Sequence, residues 1–334
     1  MSGPLETVFK GFYNVDRQYK VRGALMKRYK LVSRPAKASV GKATQKSGDK
    51  NILIHVEGKA VSSSNGYELR YLLKTLSCLE DVADRTYLYA VGKNRMASKE
   101  KGNFKIIIHN IQEGSFMANL QFVLNDIVLP VTPFLLEHAG DIWTMLKYAY
   151  DFIKVKLTAT REGNAVTMNT TGDGNVVLNV SGNNNAVYVF PQGIPELAQN
   201  ILPAVSELAK SVDGENIEHL TLGDAEPETI SIDEADKELF ESRNYFWERD
   251  VFLSGKIDVA NANNFRGKVH IFSNGYGVEV GEYPFSLDET VRNTEFLKAC
   301  YLEPREYRCR VKINFNPSKS LEEEIVELVI MGIA

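Results

Sequence analysis

The sequence predicts an α+β protein: an N-terminal α+β domain, a central Asn/Gly β-repeat followed by a helix, and a small C-terminal β-barrel. Three observations carry this. Across residues 51–160 the apolar positions switch between a period of two and a period near 3.6. After residue 161 a Gly/Asn-Val unit recurs at intervals of eleven and ten residues. From Asn244 onward, short alternating runs are separated by turns and interrupted by one helical stretch. The chain has 334 residues, 44% apolar and 25% charged, which excludes wholesale disorder, a collagen repeat and a coiled-coil rod.

Residues 1–50 read as a basic arm and linker. They hold 12 Lys and Arg against 3 Asp and Glu, whereas the whole chain carries a net charge of −4, so the arm sits on an acidic body. Lys20, Arg22, Lys27, Arg28 and Lys30 are its candidate contacts for phosphate, an anionic lipid surface or an acidic neighbour. Alternatively, the arm is a solvated tail.

The α+β domain spans residues 51–160. Ile52, Ile54 and Val56 alternate as in a strand, and Asn65 with Glu68 has the spacing of a capping box. Leu69, Leu72, Leu73, Leu76 and Leu79 then mark one helical face. Segments 86–92, 104–109 and 115–124 are expected to be strands. Thr132-Pro133 is a helix start, and Ile142, Met145, Leu146, Ala149, Phe152 and Ile153 form a second amphipathic helix.

Residues 161–212 contain the repeat and a helix. Gly163-Asn164-Ala165-Val166, Gly174-Asn175-Val176-Val177 and Asn184-Asn185-Ala186-Val187 each join a turn that tolerates positive φ to a β-branched run. A β-meander and a short solenoid both fit. Three ten-residue units cannot bury a face alone, so homo-oligomerisation is expected, through Asn164, Asn175, Val177, Asn183, Asn184, Asn185 and Val187. Packing on the chain's own domain is the alternative. Pro195 opens the next helix, and Pro203 inside it predicts a kink or two short helices. Between Asp213 and Glu241 lie eleven acidic residues and one base, Lys237, and residues 213–243 read as an acidic linker.

Residues 244–334 are read as the barrel. Its strands present Arg266, Lys268 and His270 on one face, and Arg308, Arg310 and Lys312 on another. With Tyr276, Tyr283 and Tyr307 nearby, these stripes are candidate sites for nucleic acid or another polyanion, although solubility alone also asks for exposed charge there.

Catalytic signals are weak. The five histidines, His55, His109, His138, His219 and His270, show no metal-ligand spacing, and neither a nucleophile elbow nor a phosphate loop is present. No cofactor and no metal is expected. The carboxylates Glu80, Asp81 and Asp84 have no partner base in the sequence. Cys78, Cys300 and Cys309 make no disulfide framework, which points to a reduced, cytoplasmic setting. The longest apolar run, Ile127 to Leu136, is too short to span a bilayer.

Residues 52–79, the repeat of residues 174–189 and the segment from Gly255 to Tyr283-Pro284-Phe285 together resemble an uncharacterised bacterial family. That family combines an N-terminal α+β domain, an Asn/Gly hairpin and a small C-terminal barrel. The resemblance covers residues 50–334 and implies an association with mobile elements and phage defence, with no catalytic residue set. The expected function is a self-assembling sensor or scaffold. A nucleic-acid binder using the arm and the barrel stripes is the second reading, and an enzyme whose site is assembled across domains or subunits is the third.

Overall fold

The computed structural model describes residues 50–62, 64, 66–112, 115–124, 141–172, 174–182, 185–223, 229–273 and 276–334. The arm residues named above, Asn65, Asn183, Asn184, Thr132-Pro133 and His138 lie outside them. The protein is α+β with a closed C-terminal barrel. It divides into two compact units, Val40–Arg243 with Phe315–Glu323, and Asn244–Asn314 with Glu324–Ala334.

In the first unit, β1 (Lys50–Glu57) leads into the two-residue strands β2 (Val61–Ser62) and β3 (Gly66–Tyr67). Helix α1 (Leu69–Ala90) follows, with Glu68 at its N-cap making no side-chain capping bond. Its buried stripe is Leu72, Thr75, Leu79, Val82, Ala83, Thr86, Tyr87 and Ala90, while Leu69 and Leu73 face solvent. The face expected from the leucine spacing is therefore rotated, because the small residues Thr75, Ala83 and Ala90 are what fit against the neighbouring layer.

Segment 86–92 is also not a strand. It is the last turn of α1, where the Thr86 hydroxyl donates to the Val82 carbonyl (2.9 Å) and the Tyr87 ring stacks on Phe104 at 4.9 Å. The β-branched and aromatic residues Thr86, Tyr87 and Tyr89 favour strand locally, and tertiary packing overrides that preference.

Helix α2 (Ser98–Asn103), β4 (Phe104–Gln112), β5 (Phe116–Leu124) and α3 (Ile142–Arg161) come next. Asp141 caps α3 by accepting from the Thr144 amide at 2.9 Å. Strands β6 (Ala165–Thr170), β7 (Val176–Ser181) and β8 (Ala186–Phe190) form an antiparallel meander in the order β6-β7-β8, which decides between the two arrangements the repeat allowed. Helix α4 (Ile194–Ser211) then runs unbroken through Pro203, so two short helices do not form.

The segment expected to be an acidic linker is structured instead. It holds β9 (His219–Leu222), β10 (Ile230–Ile232) and α5 (Glu234–Leu239). Leu220, Leu222, Ile230 and Ile232 alternate with polar residues and are buried. Many of its charges have local work: Asp233 and Asp236 form a reciprocal cap on α5, Asp236 pairs with Lys154 at 2.7 Å, and Glu238 pairs with Arg161 at 2.6 Å. Helix α3 thus supplies bases to two of the segment's acids.

The sheet order is β10-β9-β1-β5-β4, antiparallel throughout. Ile52, Ile54, Val56, Ala118, Leu120 and Phe122 line its buried face. The other face is half-exposed and carries Leu53, His55, Met117, Asn119 and Gln121. Gly58, directly after β1, packs against the loop before β9 with φ +145°, and a Cβ there would lie 2.4 Å from the Asn216 carbonyl oxygen.

Asp213 organises that same loop. Its carboxylate accepts from the amides of Glu215 (3.0 Å), Asn216 (2.7 Å) and Ile217 (3.1 Å) and from the Asn216 side chain (2.9 Å). Burial alone raises the Asp213 pKa, and these hydrogen bonds outweigh it and bring the group down to about 2. A carboxylate with a depressed folded-state pKa stabilises the fold above its unfolded value and loses that contribution as pH falls towards about 2. The Asp213→Ala variant is accordingly expected to unfold at lower urea than the parent at neutral pH, with the gap narrowing between pH 4 and pH 2. A gap that does not change with pH would show that the carboxylate charge is irrelevant to the loop.

In the second unit, β11 (Arg243–Phe246), β12 (Val251–Asn261), β13 (Arg266–Ile271), β14 (Gly281–Leu287), helix α6 (Thr294–Cys300), β15 (Arg305–Phe315) and β16 (Glu324–Ile333) follow in order. Strands β12, β13, β14, β16 and β15 close a ring, with β14 and β16 parallel and β11 added along β15. Taken in chain order the five barrel strands run 1-2-3-5-4-1, with the helix between the third and fourth. This is OB-type topology, a five-stranded Greek-key barrel. Leu253, Ile257, Val269, Ile271, Phe285, Tyr307, Val311 and Ile330 fill it.

Candidate assembly edge and basic face

The meander meets its own unit on one face only. Val176, Leu178 and Val180 of β7 and Phe190 of β8 are buried, and the Phe190 ring meets Phe152 of α3 edge-on at 5.2 Å. The registers Asn169↔Val177, Val177↔Val189 and Asn179↔Val187 put the other set of residues on the outer face. There Val187 is 66% and Val189 59% exposed.

The asparagines nominated for assembly sit largely in turns. Asn164 donates to Glu162 at 2.8 Å, and the Asn185 side chain accepts from the Gly182 amide at 3.0 Å. The Asn175 carbonyl accepts from the Thr171 amide at 2.8 Å. Val177 and Val187, in contrast, lie on the outer face.

The two edges of the five-stranded sheet are blunted, whereas those of the meander, β6 and β8, are not. β4 carries Lys105 and His109, and its pairing breaks into a bulge between His109 and Gln112, with Asn110 at φ 52°. β10 is three residues long, and the barrel closes on itself. β8 has none of these devices: Ala186-Val187-Tyr188-Val189-Phe190 is uncharged, lacks proline and keeps an unbroken register with β7. The sequence already contained this signal in the absence of charge across residues 186–190.

The basic stripes form, but most of their charge is spent within the barrel. Arg266 and Lys312 both reach Glu327, at 4.0 and 3.6 Å, Lys268 reaches Glu282 at 2.6 Å, and Arg308 reaches Asp250 at 3.6 Å. Arg310 differs, with its guanidinium 5.6 Å from the Phe246 ring centre. Residues 244–334 contain 11 Lys and Arg against 14 Asp and Glu, so no field of one sign covers the barrel. Phe246, Phe252 and Phe272 are exposed beside these stripes and had escaped sequence reading. The buried neighbours Val251 and Leu253 were the available sign that Phe252 points outward.

Three histidines sit on strands of the five-stranded sheet and are satisfied locally. His109 bonds Gln121 at 2.9 Å and His219 bonds Ser231 at 3.1 Å. His55 Nε2 bonds the Ser115 hydroxyl, and its Nδ1 lies 3.1 Å from Glu57 Oε1. Serine, imidazole and carboxylate in that order have the connectivity of a nucleophile, base and orienting group. The Glu57 side chain is half-exposed, however, so solvent screens the pair. What the chain of bonds achieves is to tie the β4–β5 turn to β1.

Asp84 is pushed up to about 6, first by burial and then by Glu80 and Asp81. Even so, no group of three or more His, Cys, Asp or Glu among the described residues is placed to hold a metal ion. The cysteines are all free, and burial raises the thiol of each, with Cys309 reaching about 12. No helix of the described residues is long and apolar enough to cross a membrane. No protein-family model, curated protein or solved structure matches the chain.

Proposed function

We propose that this protein is a self-assembling scaffold or sensor whose copies join through the β-meander, in the phage-defence setting that the family resemblance implies. The supporting observation is β8, an apolar, uncharged outer strand with Val187 and Val189 turned to solvent, in a protein that blunts both edges of its five-stranded sheet. An antiparallel copy of β8 centred on Tyr188 sets Val187 of one protomer against Val189 of the other, so a two-fold axis satisfies the edge of both. Two meanders then become one six-stranded sheet, and Val177, Val187 and Val189 form a continuous apolar band across its outer face.

Replacing both Val187 and Val189 by lysine tests this. The two positions are exposed, so a single protomer should keep its stability within about 0.5 kcal/mol. Light scattering of the full chain is expected to give a defined oligomer for the parent and the protomer mass for the variant. A parent that is monomeric at high micromolar concentration, or a variant that retains the parent mass, would sink the reading.

A further inference from the structure

We infer that the outer face of the barrel built from β11, β12, β15 and the end of β13 binds single-stranded nucleic acid, with bases stacked on its phenylalanines and phosphates held by its unpaired arginines. This goes beyond assembly and uses none of the meander. Phe246, Phe252, Phe272 and Tyr276 are 43%, 41%, 44% and 47% exposed, an unusual concentration of large rings on one small barrel.

The registers bring them together. Phe252 stands directly opposite Arg308, with Arg310 two residues further along the same face of β15. Phe272 donates its amide to the Ser254 carbonyl at 2.9 Å, so it lies across from Ser254 and diagonal to Phe252, within reach of a shared ligand. His270 contacts the Phe272 ring at 5.7 Å and extends the platform toward Lys256, its cross-strand partner.

The charge on this face comes from Arg310 of the stripe read from the sequence and from Arg249, which that reading did not include. Arg310 and Arg249 have no carboxylate within ion-pair distance among the described residues. Each lies over a ring instead, Arg310 over Phe246 at 5.6 Å and Arg249 over Tyr276 at 5.9 Å. Arg310 does act on Asp288 at longer range. Asp250 neutralises Arg308, Lys256 pairs with Asp258, and Glu306 stands opposite Ser254, so the surface is mixed rather than strongly cationic.

Mixed charge disfavours a duplex, whose recognition rests on a dense row of phosphates. Single strands suit the face better, because base–ring stacking, which tolerates sequence, adds to what a few cations supply. An arginine lying flat on a ring offers the same arrangement to a base and leaves its N–H groups for phosphate. The fold class alone would not license this assignment, and the side chains are what carry it.

The experiment is fluorescence anisotropy of the full chain with a fluorescein-labelled oligo(dT) 20-mer, an oligo(U) 20-mer and a duplex of the same length. Micromolar or tighter binding to the single strands, with the duplex weaker, is expected. The F252L/F272L variant keeps apolar bulk while removing two stacking faces, and should lose at least tenfold in affinity. F252Y/F272Y should restore it. Arg310→Gln should weaken binding and lower the slope of log affinity against log salt by about one.

Binding that survives F252L/F272L unchanged would assign it to the basic residues of the N-terminal arm and overturn the inference. So would equal affinity for the duplex, or no binding at low salt. A face that takes up an acidic protein and ignores both oligonucleotides would likewise overturn it. The V187K/V189K variant separates the two proposals, since a monomer that still binds oligo(dT) keeps this inference while removing assembly.

Discussion

Replacing Gly267 by alanine is expected to stop the barrel closing, at a cost of about 3 kcal/mol or more. Gly267 lies on β13 between Ala260 of β12 and Phe285 of β14. The β12–β13 register slips between Ile257 and Val259, and this bulge drives the Val259 carbonyl toward β13. A Cβ on residue 267 would fall 1.8 Å from that oxygen and 2.8 Å from the Phe285 ring. The first obstacle is backbone, which cannot swing aside as a flexible side chain could.

Gly281, in the same barrel, is the control: a Cβ there meets nothing nearer than the Tyr283 ring at 3.9 Å, so Gly281→Ala should stay within about 1 kcal/mol of the parent. The chain has two tryptophans, Trp143 in α3 and Trp247 beside β11, so urea unfolding in a Trp143→Phe background reports the barrel alone. Equal midpoints for the two glycine variants would mean that the close approach at Gly267 is not a constraint.

Tyr87→Ala is expected to have a comparable effect on the first unit, a loss of about 3–5 kcal/mol. Tyr87 is among the largest fully buried side chains, stacked within 9° of parallel on Phe104, whose ring is in turn 6.3 Å from Phe122. Removing the ring breaks a stack that joins α1 to β4 and β5. Tyr87→Phe keeps that stack and should cost only about 1 kcal/mol for the lost hydroxyl. The unfolding midpoint, read from Trp143 fluorescence, distinguishes the two variants. Similar losses for both would place the hydroxyl, and not the stack, at the centre of the contact.

The contrast at Tyr87 marks where sequence reading stops. Thr86, Tyr87 and Tyr89 favour a strand when taken alone, yet their positions continue the 3.6-residue spacing set by Leu72, Leu79 and Val82. Periodicity over the longer window was the better guide, because a helix twenty-two residues long is held by its buried face and not by the preference of its last turn. The acidic segment failed for the converse reason. Its charge run hid the alternation of Leu220, Leu222, Ile230 and Ile232, which needed the edge of β1 to become part of a sheet.

The candidate sites divide in the same way. The outward arginines of β15 and the turn asparagines of the repeat were legible, since period-two alternation and positive-φ tolerance act within a few residues. Which residues of the basic stripes keep free charge was not legible, because Glu327, Glu282 and Asp250 come from other strands or turns.

By itself the sequence determined the α+β class, the closed small barrel, the meander's turns and the identity of most strands, all of which follow from local backbone preference and the spacing of apolar residues. Only the tertiary structure decided which face of α1 is buried, that β9 and β10 extend the sheet, that β8 is left as an unguarded edge, and that Phe246, Phe252 and Phe272 gather on one surface. Those facts depend on pairing between residues far apart in the chain, where burial and charge neutralisation are properties of the partner as much as of the residue.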